Sequence, residues 1–134
     1  MVRPRTAPAW NDHMDRTFML IGAVAALIAV GFGAFGAHGL RARTSPELLA
    51  VFETGVRYQM YHALAILITA LALSRFDGPL IRGAGWLFTA GIVFFSGSLY
   101  GIVLTGTTTL GAITPIGGLL FLAGWACLVL AAIL

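Results

Sequence analysis

Residues 18–40 read FMLIGAVAALIAVGFGAFGAHGL. The stretch contains no Asp, Glu, Lys or Arg, and its one titratable side chain is His38. A helix of this length is about 35 Å long at 1.5 Å per residue. The hydrocarbon core of a bilayer is about 30 Å thick. The stretch therefore predicts a membrane-spanning helix, and it decides the fold class of the chain.

The composition of the whole chain agrees with a membrane protein. Of the 134 residues, 59% are hydrophobic and only 10% are charged, whereas about a quarter of the residues in a soluble domain are charged. The basic residues are all arginines at the edges of apolar segments. This placement is typical of topology control and does not indicate a nucleic-acid partner. A single cysteine, Cys127, excludes an internal disulfide.

Four apolar segments predict an all-α integral membrane bundle of four transmembrane helices, at about 18–40, 58–74, 83–104 and 115–134. Residues 1–17 are interpreted as an N-terminal arm. Before the second span, Ser45 fits a helix N-cap and Pro46 fits the first helical position. Leu49, Phe52 and Val56 then share one face, which predicts an amphipathic helical extension before that span.

The arginines predict the orientation of the bundle. The side that carries the N-terminus holds five arginines, and the other side holds Arg41, Arg43 and Arg57. Because the side with more arginines stays in the cytoplasm, both termini are predicted to be cytoplasmic. The uncharged loop TGTTTLGA at 105–112 lies on the outer side in this arrangement, and its backbone is expected to be strand-like or irregular.

Small residues at helical spacing predict where the helices pack. Without a hydrophobic force between helices in lipid, close backbone approach depends on small side chains. The predicted contact positions occur in spans one, three and four, and they favour an up-and-down bundle with short loops. They are Gly22, Ala26, Gly33, Gly36, Gly97, Gly101, Gly117 and Gly124.

Polar side chains within the membrane are expected to meet at one end of the bundle. The first and third spans end on the side where the second and fourth begin, which brings their polar residues together. Because an unpaired polar group is costly in lipid, these groups are expected to pair or to face water. The candidates for a ligand or partner site are His38, Tyr58, Gln59, His62, Ser96, Ser98, Tyr100 and Thr114.

Three interpretations of this cluster stay open: a purely structural network, a site for a ligand or partner, and a histidine-ligated metal or haem. Two histidines make an incomplete zinc site, because zinc uses at least three protein ligands. Neither a metal nor a cofactor is predicted. No paired carboxylate, phosphate loop or nucleophile elbow occurs in the apolar segments, and Ser96 or Ser98 is more typical of helix packing than of nucleophilic catalysis. The sequence therefore predicts no enzyme.

Four ordered blocks carry a resemblance to a known family. GAFGAHGL, FETGVRYQMYHALAI, FSGSLYGIVL and ITPIGGLLFLAGW resemble the signature blocks of the domain-of-unknown-function 423 family of small inner-membrane proteins. The resemblance covers about residues 18–134 and implies a bacterial inner-membrane protein, without implying a mechanism. The residues at family motif positions include Gly36, His38, Tyr58, Gln59, His62, Ser96, Ser98, Tyr100, Thr114 and Gly117.

Two main functional hypotheses follow from the sequence. The first is an accessory or stabilising subunit of a larger membrane complex, whose partners are the lipid bilayer and other membrane subunits or itself. The second is a homo-oligomeric protein that binds or transports a small solute or lipid, with a polar site at the non-cytoplasmic end. A histidine-ligated haem or metal protein is a further alternative.

Overall fold

The computed structural model describes residues 13–76 and 78–134, and every regular element in these ranges is helical. Four helical stretches are long and apolar enough to cross a membrane: His13–Leu40, Pro46–Leu73, Pro79–Thr105 and Thr108–Ile133. The predicted all-α membrane fold is therefore confirmed. The elements are α1 (His13–Phe35) with a π-helical turn at Gly36–Leu40, α2 (Pro46–Leu73), α3 (Pro79–Gly91), a second π turn at Ile92–Ser96, α4 (Gly97–Thr105), a 3₁₀ turn at Thr108–Ala112, and α5 (Thr114–Ile133).

The second span and its predicted extension form one continuous helix, α2. Ser45 caps this helix, because its side chain accepts a hydrogen bond from the Leu48 amide at 3.3 Å, and Pro46 occupies the first turn. The predicted arm at 1–17 overlaps the first residues of α1, which begins at His13; residues 1–12 lie outside the described part. The loop expected to be strand-like or irregular contains a 3₁₀ turn instead.

The four spans do not enclose a closed square bundle. Helices α2 and α3 lie at the centre; α1 packs mainly against α2, and α5 packs mainly against α3. The main core is formed where these helices meet, and it includes Phe18, Ile66, Phe88 and Phe121. Because α1 and α5 lie on the outside, one lateral groove opens between α1 and α3, and another opens between α2 and α5.

Glycines set the closest helix contacts. A Cβ at Gly117 would collide with the backbone nitrogen of Phe95, and a Cβ at Gly22 would lie 3.0 Å from the Ala63 carbonyl oxygen. Large side chains could not occupy these positions without separating the helices. Gly97 differs from the predicted pattern, because it is exposed and a Cβ there would meet nothing within 4 Å.

Candidate functional site

Among the polar side chains expected at one end, Gln59 and His62 lie near the midpoint of α2, whereas Ser98, Tyr100 and Thr114 lie toward the end where α4 leads into α5. The ring of His62 stacks on Phe121 with centroids 3.4 Å apart, and Phe121 in turn packs against Gly91. Gly91 and His62 both lie near the midpoints of their spans, Pro79–Thr105 and Pro46–Leu73. Because α2 begins at Pro46, Tyr58, Gln59 and His62 lie about three turns or more from the start of this helix.

Both ring nitrogens of His62 are engaged. The Nδ1 atom lies 2.7 Å from the carbonyl oxygen of Tyr58, which can only accept a hydrogen bond, so Nδ1 carries the proton. Nε2 is then the acceptor for the indole N–H of Trp125, at 3.2 Å. This neutral tautomer satisfies the buried imidazole and joins α2 to α5 through a side-chain hydrogen bond.

Gln59 connects three helices. Its Nε2 donates to the Ala25 carbonyl in α1 at 2.8 Å, and its Oε1 accepts from the Tyr100 hydroxyl in α4 at 2.8 Å. Only 4% of the Gln59 surface is exposed. The amide nitrogen has two protons, and the described contacts use one of them. The second proton is therefore a spare donor near the midpoint of α2.

Two serines form shorter links around the π turn of the third span. Ser96 donates to the Gly55 carbonyl at 2.7 Å, which joins this turn to α2. The Ser98 and Thr114 hydroxyls lie 2.6 Å apart, which joins α4 to the start of α5. Thr114 is the first residue of α5, and its hydroxyl makes this contact between helices. Both serine hydroxyls therefore have structural partners.

His38 does not join this cluster. It is exposed in the π turn after α1. Two residues earlier, Gly36 packs against Phe52, which lies ten residues before His62 in α2, about 15 Å along the helix axis. The structure thus separates the two histidines that the sequence analysis brought together. A shared metal or haem would need both, and His62 would have to give up one of its hydrogen bonds to ligate an iron or zinc.

The α2–α5 groove has aromatic walls and opens toward lipid. Its volume is 660 Å³, within the range of about 300–1,000 Å³ typical of small-molecule sites. Leu119 and Leu122 form part of its aliphatic rim. Five rings line it: Tyr58, His62, Phe95, Phe121 and Trp125.

Tyr58 contributes a polar hydroxyl group to this groove. Its ring packs against Phe95 with centroids 4.7 Å apart, and 40% of its surface is exposed. No residue in the described ranges forms a hydrogen bond with its hydroxyl. Tyr58 lies twelve residues after Pro46 in α2, about 18 Å along the helix. An unpaired hydroxyl therefore contributes to the open α2–α5 groove.

Trp125 was not among the residues proposed from the sequence. A mid-span tryptophan carries an N–H group that lipid cannot satisfy. That signal predicts an acceptor on a neighbouring helix, and the structure shows that the acceptor is His62 Nε2. The sequence alone did not show which helix faces this indole.

Comparisons with known proteins place the chain in a family. The model of the family described as "Protein of unknown function (DUF423)" matches residues 32–118. The chain belongs to the DUF423 family. The matched range contains Tyr58, Gln59 and His62, and it ends before Phe121 and Trp125, so it covers the α2 wall of the α2–α5 groove and only the beginning of its α5 wall.

Similar bacterial proteins are named as membrane proteins. This DUF423 member is 52% identical over 116 residues to a UPF0382 membrane protein of Staphylococcus aureus (strain bovine RF122), covering 87% of this chain and 94% of the relative. It is 48% identical over 119 residues to the UPF0382 membrane protein YwdK of Bacillus subtilis, covering 88% and 97%. No solved structure matches the chain. The similarity supports a multi-pass bacterial membrane protein.

Proposed function

We propose that this protein is a non-enzymatic accessory or stabilising subunit of a larger assembly in the bacterial cytoplasmic membrane, with both termini in the cytoplasm. The observation that carries the proposal is the open groove between α1 and α3. This groove has a volume of 390 Å³ and aliphatic walls that include Leu20, Val24, Ile28 and Val93. Gln59, with its spare amide proton, contributes to the lining.

A transmembrane helix of a partner subunit fits the chemistry of the α1–α3 groove. Helices in lipid associate through close packing and a few hydrogen bonds between them. The groove offers both, because its walls are aliphatic and the Gln59 amide can donate to one acceptor on the incoming helix.

The hydrogen bonds that already engage the two serines and His62 support a role without catalysis. Ser96 donates to the Gly55 carbonyl, and the Ser98 hydroxyl forms a hydrogen bond with the Thr114 hydroxyl. The two ring nitrogens of His62 form hydrogen bonds with the Tyr58 carbonyl and the Trp125 indole. A nucleophile would need a base within hydrogen-bonding reach. None of these contacts pairs a serine with a histidine.

The experiment that tests this proposal combines native purification with crosslinking. The chain is expressed from its own promoter with a photo-crosslinking amino acid at Val24, in the α1–α3 groove, or at Val129, exposed on α5. After extraction in mild detergent, complexes are separated by size and identified by mass spectrometry. We expect one defined membrane protein to crosslink at Val24 and not at Val129. A chain that migrates alone, with no Val24 adduct in intact membranes, would contradict the proposal.

A second candidate function is the binding of a small lipid-soluble molecule in the α2–α5 groove, in a monomer or a homo-oligomer. The observation that favours it is the unpaired Tyr58 hydroxyl among aromatic walls. This function does not compete for space with the partner helix, because the two grooves lie on opposite sides of the central α2–α3 pair.

A further inference from the structure

We infer that the α2–α5 groove binds an uncharged, lipid-soluble molecule with a flat ring and a carbonyl oxygen, which is the chemistry of a quinone head on an isoprenoid tail. This inference rests on the second candidate function and specifies its ligand class. It is carried by the uncharged lining of the groove, by its aromatic walls and by the unpaired hydroxyl of Tyr58.

The lining of the groove selects an uncharged polar group. A phosphate or carboxylate in an apolar site is costly unless a cation pairs with it. No cationic side chain is among the residues that line the groove. The polar part of the ligand must therefore be uncharged.

The walls favour a flat ring over an acyl chain. Phe95 and Phe121 have centroids 5.5 Å apart and both pack against Tyr58. Aromatic rings prefer offset or edge contacts with another ring, and these contacts stabilise by more than the buried area alone. Phe121 itself is buried, so the rings that a ligand can reach include those of Tyr58 and Trp125, which are 40% and 43% exposed. A flat conjugated head can stack on these two rings, whereas a flexible acyl chain cannot.

The available donor requires an acceptor on the ligand. The Tyr58 hydroxyl has no hydrogen-bond partner among the described residues. The Trp125 N–H is already used by His62, so Tyr58 supplies the free proton of the groove. A carbonyl oxygen on the ring would accept it. The tail would then follow the aliphatic rim at Leu119 and Leu122 toward the bilayer.

The test is a fluorescence titration of the purified full chain in phosphatidylcholine nanodiscs. Trp10 and Trp86 are replaced by Phe, so that Trp125 in the groove is the only emitter. The probe is a benzoquinone with two isoprene units, which quenches a nearby indole. A second chain that keeps only Trp86, which is exposed to lipid, reports quenching by quinone free in the bilayer. We expect saturable quenching of Trp125 and only linear, weaker quenching of Trp86.

Two variants distinguish quinone binding in the groove from general uptake of quinone by the bilayer. Tyr58→Phe keeps the ring and removes the hydroxyl, and we expect it to weaken binding by about 2- to 10-fold. Tyr61→Phe is the matched control: Tyr61 is an exposed tyrosine on the same helix, its ring 5.9 Å from that of Tyr58, and it does not line the groove. Gly118→Leu fills the groove, and its Cβ has room because the nearest atom, on Phe95, is 4.0 Å away; it should abolish saturation.

Each result decides a different claim. If Trp125 quenching does not saturate, or if Tyr58→Phe and Tyr61→Phe behave alike, the inferred ligand class is wrong. Geraniol has the same isoprenoid tail and no ring. If it displaces the quinone with equal affinity, the groove recognises the isoprenoid tail and not the ring. The inferred ligand class is then wrong, and the second candidate function stands. If neither compound binds the folded chain, both fail. Should Gly118→Leu not fold, Tyr58→Phe, which preserves the packing, still decides.

Discussion

The indole N–H of Trp125 donates to Nε2 of His62 at 3.2 Å, and this bond joins α5 to α2 near the midpoint of both helices. The His62 ring also stacks on Phe121 of α5, and both residues line the α2–α5 groove. The bond fixes the tautomer of His62, which donates to the Tyr58 carbonyl through Nδ1. Trp125 and His62 therefore hold one wall of the groove in place while leaving its mouth open.

Removing the indole donor should destabilise the protein modestly. Trp125→Phe keeps an aromatic ring and leaves His62 Nε2 without its donor. Hydrogen bonds between membrane helices contribute about 0.6 kcal/mol on average and up to about 1.7 kcal/mol, so we expect a loss in that range. The measurement is the free energy of unfolding in mixed micelles. Trp86→Phe is the control, because Trp86 packs on Phe18 without a hydrogen bond in the described contacts; an equal loss in both variants would contradict the role of the bond.

Gln59 and Tyr100 should be energetically coupled. Gln59→Leu leaves the buried Tyr100 hydroxyl without its acceptor and removes the side-chain hydrogen bond to the Ala25 carbonyl, and we expect a cost of about 1–3 kcal/mol. Tyr100→Phe alone removes one partner of the same network. A double-mutant cycle on unfolding free energies should therefore give a coupling of about 0.5 kcal/mol or more. Additive effects would show that the hydrogen bond contributes nothing to stability.

Gly117 and Gly97 should respond to alanine in opposite directions. A methyl group at Gly117 collides with the backbone of Phe95, so Gly117→Ala must separate α5 from the π turn. Such overpacking typically costs about 1–3 kcal/mol. Gly97 is helical and has open space around it, so Gly97→Ala should be neutral or should stabilise by up to about 1 kcal/mol. Thermal unfolding of the two purified variants checks this, and a stable Gly117→Ala would show that the contact is loose.

The two histidines should differ in their contribution to stability. His38 is exposed, so His38→Ala should change the unfolding free energy by less than about 0.5 kcal/mol. His62→Ala removes a ring that is stacked on Phe121 and leaves the Trp125 N–H unpaired, so its cost should be several times larger. A large destabilisation by His38→Ala would mean that His38 has a structural partner beyond the described contacts.

The orientation can be tested by labelling single cysteines in intact cells. In a Cys127→Ala background, Thr107→Cys lies in the turn between α4 and α5, and Ser74→Cys lies at the end of α2. The reagent is a maleimide that passes the outer envelope of the cells and does not cross the cytoplasmic membrane. The arginine count predicts that it labels Thr107→Cys and does not label Ser74→Cys. Labelling of Ser74→Cys alone would reverse the topology.

The α2 helix shows which features of the fold the sequence predicts and which it does not. Ser45, Pro46 and the apolar run that follows are local signals, and they correctly predicted where this helix begins and that it crosses the membrane. The same signals did not give the neighbours of Tyr58 and His62 on other helices. Those neighbours depend on how far α2 slides along the adjacent helices, and that register is set by contacts such as Gly36 with Phe52 and Gly55 with Tyr100.

The sequence by itself determined four apolar spans and the polar residue types that they carry, because hydropathy and helix caps are local properties of the chain. Only the tertiary structure decided which polar groups meet. His38 and His62 have equal chemistry and similar sequence surroundings, yet one is exposed and the other is enclosed by Phe121 and Trp125. The physical reason is that a hydrogen bond between helices needs both partners at one depth and on facing sides, and the packing of glycines against large side chains sets both.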